Sequence, residues 1–183
     1  MLKFIIQGRG GQGAQLASEI LASAFFAEGK YVQAYATYGG ARRGTPVTSY
    51  VRVDDKPILL RCDIEEPDAI LFFDDSLLSA GLIKCAKKNT IVLVNSAKGP
   101  EDFHSLSELQ LVTIDALSIA RENNLGRIVN SALIGALAGL LGVPTKDAIT
   151  QIVQMKSPAK KEENAQACLT GYELVTKRGQ TNE

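Results

Sequence analysis

Residues 4–21 read FIIQGRGGQGAQLASEIL, and the fold turns on how this stretch is read. The apolar run over residues 2–7 predicts a short strand. Four glycines follow within residues 8–13, and a helical period then places Leu16, Ile20, Ala24 and Ala27 on one face of a helix over residues 14–28. Gly29 supplies the glycine that commonly closes a helix C-terminus. Residues 32–35 predict a second strand. Strand, glycine turn, helix and strand make a βαβ unit, which implies parallel pairing and a right-handed crossover.

Downstream of this unit, the loop ATYGGARRGT (36–45) leads into PVTSYVRV (46–53), which alternates like an open-faced strand. DDKPI (54–58) reads as a turn into a further extended segment. Residues 68–73 form a continuous apolar run, the pattern of a strand covered on both faces. A helix is expected over residues 76–87, with Asp75 or Ser76 as N-cap. Residues 90–95 and 111–115 predict two more strands. Helices follow at 116–122, 128–141, 146–155 and 162–176. The class is therefore α/β: one domain over residues 1–183, three-layered α/β/α, with a largely parallel or mixed central sheet and a helical C-terminal end.

Residues 128–145, IVNSALIGALAGLLGVPT, carry no charge and contain Gly135 and Gly139 at a spacing used by membrane helix dimers. Only 16 residues precede Pro144 in this run, short of the roughly 20 needed to span a bilayer. Asn130 and Ser131 also sit inside it. The segment reads as a buried helix whose glycines admit another backbone, under neighbouring helices or a subunit.

Twenty basic residues balance twenty acidic ones. That excludes the basic face expected of a nucleic-acid binder and leaves no polybasic handle for a membrane surface. Cys62, Cys85 and Cys168 are too widely spaced for a CxxC ligand pair, and their odd number suggests a reducing, cytoplasmic setting. The single histidine, His104, rules out a multi-histidine metal cluster. The paired carboxylates Glu65-Glu66 and Asp74-Asp75 fall at turns or strand ends, where solvation and capping account for them.

Gly8, Arg9, Gly10, Gly11, Gln12 and Gly13 fit G-x-G-x-x-G between a strand and a helix. Glycine there permits positive φ and lets backbone N–H groups approach a phosphate, while the helix start adds about half a positive charge. Arg9 adds a guanidinium. A nucleoside-triphosphate loop needs Lys then Ser or Thr after its last glycine, and Ala14 and Gln15 stand there instead. A dinucleotide site needs an acidic residue about 20 positions on. Tyr35 and Ala36 occupy that place, although Arg42 and Arg43 offer cations for a 2′-phosphate. Three readings stay open: a phosphate cradle, an NADP-binding Rossmann-like oxidoreductase, and glycines that only permit close packing.

The wider pattern is more specific. Residues 8–22 (GRGGQGAQLASEILA) and 29–58 (GKYVQAYATYGGARRGTPVTSYVRVDDKPI) resemble the gamma subunit of 2-oxoacid:ferredoxin oxidoreductases. The resemblance continues at Pro67-Asp68, at residues 129–142 (VNSALIGALAGLLG) and at residues 164–174 (NAQACLTGYEL).

The resemblance implies a complex that oxidatively decarboxylates a 2-oxoacid to an acyl-coenzyme A and CO2 while reducing ferredoxin. Thiamine diphosphate and iron–sulfur clusters would reside on alpha, beta and ferredoxin-like delta subunits. This chain has neither a thiamine-diphosphate signature nor a cysteine cluster, so it is expected to bind none of these cofactors and to be non-catalytic alone. Its glycine loop is expected to meet coenzyme A phosphates or a partner backbone. Tyr38, Arg42, Arg43 and Gly44 are expected to form a subunit-docking loop, since arginine pairs well across interfaces. A pure scaffold without ligand is the remaining alternative. The 2-oxoacid itself, pyruvate or 2-oxoglutarate among others, is not legible here.

Overall fold

The computed structural model describes residues 1–38 and 44–180. Six strands form one sheet: β1 (Leu2–Arg9), β2 (Tyr31–Tyr38), β3 (Pro46–Asp54), β4 (Ala69–Phe72), β5 (Ile91–Asn95) and β6 (Gln110–Ile114), in the order β2-β3-β1-β4-β5-β6. The helices are α1 (Ala14–Ala27), α2 (Ala116–Glu122), α3 (Asn130–Leu141), α4 (Lys146–Lys156) and α5 (Lys161–Gln180). Strands β1, β4, β5 and β6 run parallel, whereas β3 is antiparallel to both β1 and β2. The class is α/β with a mixed sheet and a helical C-terminal end, as the patterning implies.

One expectation fails here. β1 and β2 do not pair, because β3 lies between them, with Phe4 opposite Val51 and Val32 opposite Val53. The reason is burial. β3 hides Val47, Val51 and Val53 on one face and Tyr50 and Arg52 on the other, so it suits an interior position. β2 keeps polar or half-exposed side chains such as Gln33 and Tyr31 and suits an edge.

A second difference lies after β4. The helix expected over residues 76–87 is two 3-10 turns, Asp75–Ala80 and Leu82–Cys85, parted by Gly81 at φ 88°. A left-handed residue cannot continue a right-handed helix. The cap is Asp74 rather than Asp75 or Ser76: its carboxylate accepts from the Ser76 N–H. The segment after DDKPI is irregular rather than a strand.

All five helices pack on one face, over Phe4, Ile6, Val51, Leu71 and Leu93. The opposite face, with Ile5, Tyr50, Ile70, Phe72, Val92 and Val94, is covered by Ile64 and Leu77 from the irregular stretch and the first 3-10 turn. The uncharged helix is indeed covered all round: Asn130 to Ala138 of α3 are buried. Its cover is α5. A methyl built on Gly135 would lie 1.9 Å from the Cys168 carbonyl oxygen, so the two backbones touch.

Candidate functional site

β1 leads through α1 toward β2 on one side of the sheet, while β4 leads through the 3-10 turns toward β5 on the other. The loops leaving the C-terminal ends of β1 and β4 therefore diverge. Open α/β sheets place ligands in the crevice at such a reversal. A cleft of about 1000 Å3 opens there, and Gly10, Gly11 and Gln12 line it.

The glycines have separate reasons. A Cβ on Gly8 would come within 2.9 Å of the Ala14 methyl, so glycine lets the helix start pack on the strand end. Gly11 and Gly13 hold φ of 97° and 89°. Gly13 is also the N-cap of α1 and offers no side chain to cap it. The Gln12 carboxamide oxygen accepts from the Arg9 N–H at 2.7 Å, and the Gln12 N–H returns to the Arg9 carbonyl at 2.9 Å, closing the turn. The loop is thus a tight, backbone-rich turn beside an uncapped helix start, a geometry that favours anions.

Arg9 stands apart from that cradle. Side chains alternate along a strand, so Arg9 shares the face of Ile5, away from α1. Its guanidinium donates to the Ser76 hydroxyl at 2.7 Å and to the Gly44 carbonyl at 3.3 Å. The Gly10 N–H donates to the Thr45 carbonyl at 2.9 Å. Glycine loop and Gly44 therefore meet in one corner. Tyr38 ends β2 opposite Val47, and Arg42 and Arg43 lie outside the described residues.

The rest of the cleft comes from the ends of β4, β5 and β6, from α2 and from the segment before α3; of its polar residues only Asp74 and Asp75 stand out in the sequence, as capping or solvated acids. Asn95, last in β5, donates to the Phe73 carbonyl and accepts from the Ala116 N–H, both at 3.1 Å, tying β4 to the start of α2. A polar residue ending an apolar strand was the available signal. The acids of the cleft are already engaged. Asp115 is held below the usual carboxylate range by hydrogen bonds from the Ser118 hydroxyl and N–H. Burial pushes Asp74 up, but bonds from Ser76, the Arg9 charge and Gln12 together outweigh it and leave its carboxyl lowered. Asp75 pairs with Lys98 at 3.2 Å and accepts from Ser96 at 3.1 Å. Arg121 and Arg127 are exposed and line the same cleft; neither is ion-paired among the described residues, although the Arg121 charge also helps to lower Asp115.

The cleft combines three acids, Asp74, Asp75 and Asp115, with three cations, Lys98, Arg121 and Arg127. Its carboxylates cap or pair, and among the described residues no three His, Cys, Asp or Glu side chains converge as a metal site. The position that would hold a dinucleotide ribose is also displaced, because β3 separates β2 from the glycine loop. Tyr35 instead stacks on Tyr50, with ring centroids 4.9 Å apart. No helix among the described residues is long and apolar enough to cross a membrane.

Residues 3–174 match the family model for pyruvate ferredoxin/flavodoxin oxidoreductase. The chain is 39% identical to the pyruvate synthase subunit PorC of Methanothermobacter thermautotrophicus, covering 97% of each. It is 42% identical to the pyruvate/ketoisovalerate oxidoreductases common subunit gamma of Thermococcus kodakarensis, over 91% of this chain and 93% of that one. The crystal structure of the pyruvate oxidoreductase subunit PORC of Thermotoga maritima superposes with a TM-score of 0.82 at 31% identity, over 94% of this chain and 95% of that one.

Proposed function

The chain belongs to the pyruvate ferredoxin/flavodoxin oxidoreductase family, and from that premise we propose that it serves as the gamma subunit of a cytoplasmic 2-oxoacid:ferredoxin oxidoreductase. The complex oxidises a 2-oxoacid to acyl-coenzyme A and CO2 and passes two electrons to ferredoxin. Relatives named for pyruvate and ketoisovalerate favour pyruvate or a branched 2-oxoacid. Thiamine diphosphate and the iron–sulfur clusters reside on alpha, beta and delta partners. This chain forms one domain, contributes structure, and presents its cleft to the phosphates of coenzyme A. The loop containing Arg42 and Arg43, with Tyr38 and Gly44 at its ends, docks a partner subunit.

The observation that carries this reading is one cleft lined by the Gly10–Gln12 turn and by Arg121 and Arg127, which make no ion pair among the described residues, beside carboxylates that are all engaged. Gly11 tests it. Nothing lies within 4 Å of a Cβ placed there, so Gly11→Ala disturbs the turn at φ 97° without breaking the core. In the assembled complex the variant should raise the KM for coenzyme A about tenfold, the equivalent of about 1.4 kcal/mol, with kcat retained at saturation. An unchanged KM, together with equal coenzyme A binding by complexes with and without this subunit, would leave only a scaffold.

A further inference from the structure

Arg9 is the one cation of the glycine motif, and the obvious use for it is to neutralise a bound phosphate. Its surroundings indicate otherwise. The guanidinium spans two loops that flank β1 on opposite sides: the Gly44 carbonyl ahead of β3 and the Ser76 hydroxyl after β4. Its own N–H is held by Gln12. The glycine loop is hydrogen-bonded through Gly10 to Thr45 and Gly44. Ser76 is in turn fixed by the Asp74 carboxylate at 2.9 Å, and Asp74 lines the cleft. Among the described residues, the side-chain contacts of Arg9 thus run to the turn after β4, whose Asp74 and Asp75 line the cleft, and to the Gly44–Thr45 turn bonded to the glycine loop, and its side chain lies on the face away from α1.

We infer that Arg9 is a positioning residue: it ties two cleft-lining segments, the glycine loop and the Asp74–Ser76 turn, to each other and to the adjoining Gly44–Thr45 turn, and it does not touch the ligand. The inference rests on reading the cleft as a coenzyme A site. The planar fork reaches the two acceptors from two separate nitrogens, Nη1 and Nη2, whereas an ammonium presents its three donors from a single atom on a shorter, flexible stem. The clamp also links the cleft to the base of the proposed docking loop.

The test is coenzyme A dependence of the assembled complex for wild type, Arg9→Ala, Arg9→Lys, Ser76→Ala and the Arg9→Ala/Ser76→Ala double variant. One hydrogen bond is worth about three- to tenfold in affinity. Ser76→Ala should raise the KM for coenzyme A about threefold and Arg9→Ala about tenfold, with kcat retained. The double variant should be no worse than Arg9→Ala, because both remove the same link. Arg9→Lys should not restore the KM, and the Arg9→Ala effect should persist at high salt. A phosphate contact gives the reverse: Ser76→Ala unchanged, Arg9→Lys largely restored, and an effect that salt screens away. That pattern would overturn the clamp. If Arg9 variants fail to assemble, Ser76→Ala decides alone: an unchanged KM sinks the inference. Failure of the coenzyme A reading itself shows separately, in Gly11→Ala.

Discussion

Gly135→Ala should destabilise the chain by about 3 kcal/mol or more, the upper end of what overpacking a core costs. The added methyl would sit 1.9 Å from the Cys168 carbonyl oxygen and 2.7 Å from its carbon. Both are backbone atoms of α5, and no rotamer change relieves them. The same contact recurs along the crossing: a methyl on Gly171 would meet the Ala132 carbonyl oxygen at 2.1 Å, and one on Gly139 the Tyr172 carbonyl oxygen at 2.7 Å. Separating the helices to admit one methyl would loosen all three contacts and the buried bond from the Ser131 hydroxyl to Asn164. Gly142→Ala is the control. Its φ is 69° with nothing within 4 Å, so it should cost only about 1–2 kcal/mol of left-handed strain. Urea unfolding of the purified chain compares the two. Equal losses would mean that the helices do not pack backbone to backbone.

Arg52→Ala should cost about 3 kcal/mol. Arg52 is 1% exposed on β3, where it donates to the Gln33 carboxamide oxygen at 2.7 Å and to the Cys62 carbonyl. Its Nε has no hydrogen-bond partner among the described residues. No carboxylate pairs with it among the described residues. Burying a cation against neutral acceptors is expensive, and what it achieves here is to fasten the irregular stretch after DDKPI over the second face of the sheet. Alanine would leave a void, take the Arg52 donor from the Gln33 carboxamide oxygen, and leave the Cys62 carbonyl with only the Tyr35 hydroxyl at 3.2 Å. The loss should appear in urea unfolding, and proteolysis should accelerate within residues 57–63. A cost under 1 kcal/mol with unchanged proteolysis would show that Ile64 and the bonds from Gln33 to the Leu60 carbonyl and from Tyr35 to the Cys62 carbonyl hold the stretch without Arg52.

Much of this architecture was legible in the chain, because most of its cues are local. The glycine turn, the α1 period and the apolar runs at 68–73 and 90–95 each announce themselves within a few residues. α2 matches its expected bounds, and α4 differs by one residue. The α3 cover was readable too, since a helix without a polar face needs neighbours on all sides. What failed was non-local. Nothing in PVTSYVRV states that it inserts between β1 and β2; that follows from which strand has two faces to bury. The broken helix after β4 was a misjudged Gly81, whose left-handed φ ends a turn that periodicity alone would continue.

The site divides the same way. The turn from Gly8 to Gly13 was legible because the motif is contiguous, and Gly10, Gly11 and Gln12 of it line the cleft. Asn95, Asp115, Arg121 and Arg127 were not, because only the order β1-β4-β5-β6 brings the ends of β5 and β6, with α2 and the segment after it, to one cleft. Arg9 was visible as a residue while its direction was missed, although strand alternation from Ile5 already aims it away from the helix.

Reconstitution gives the most direct test of the division of labour at the centre of this account. The purified chain, its alpha, beta and delta partners without it, and the full set are each supplied with pyruvate, coenzyme A and a low-potential electron acceptor. Coenzyme A-dependent reduction of the acceptor should appear only in the full set, with none from this chain by itself. Turnover by the isolated chain, or full turnover without it, would contradict the account.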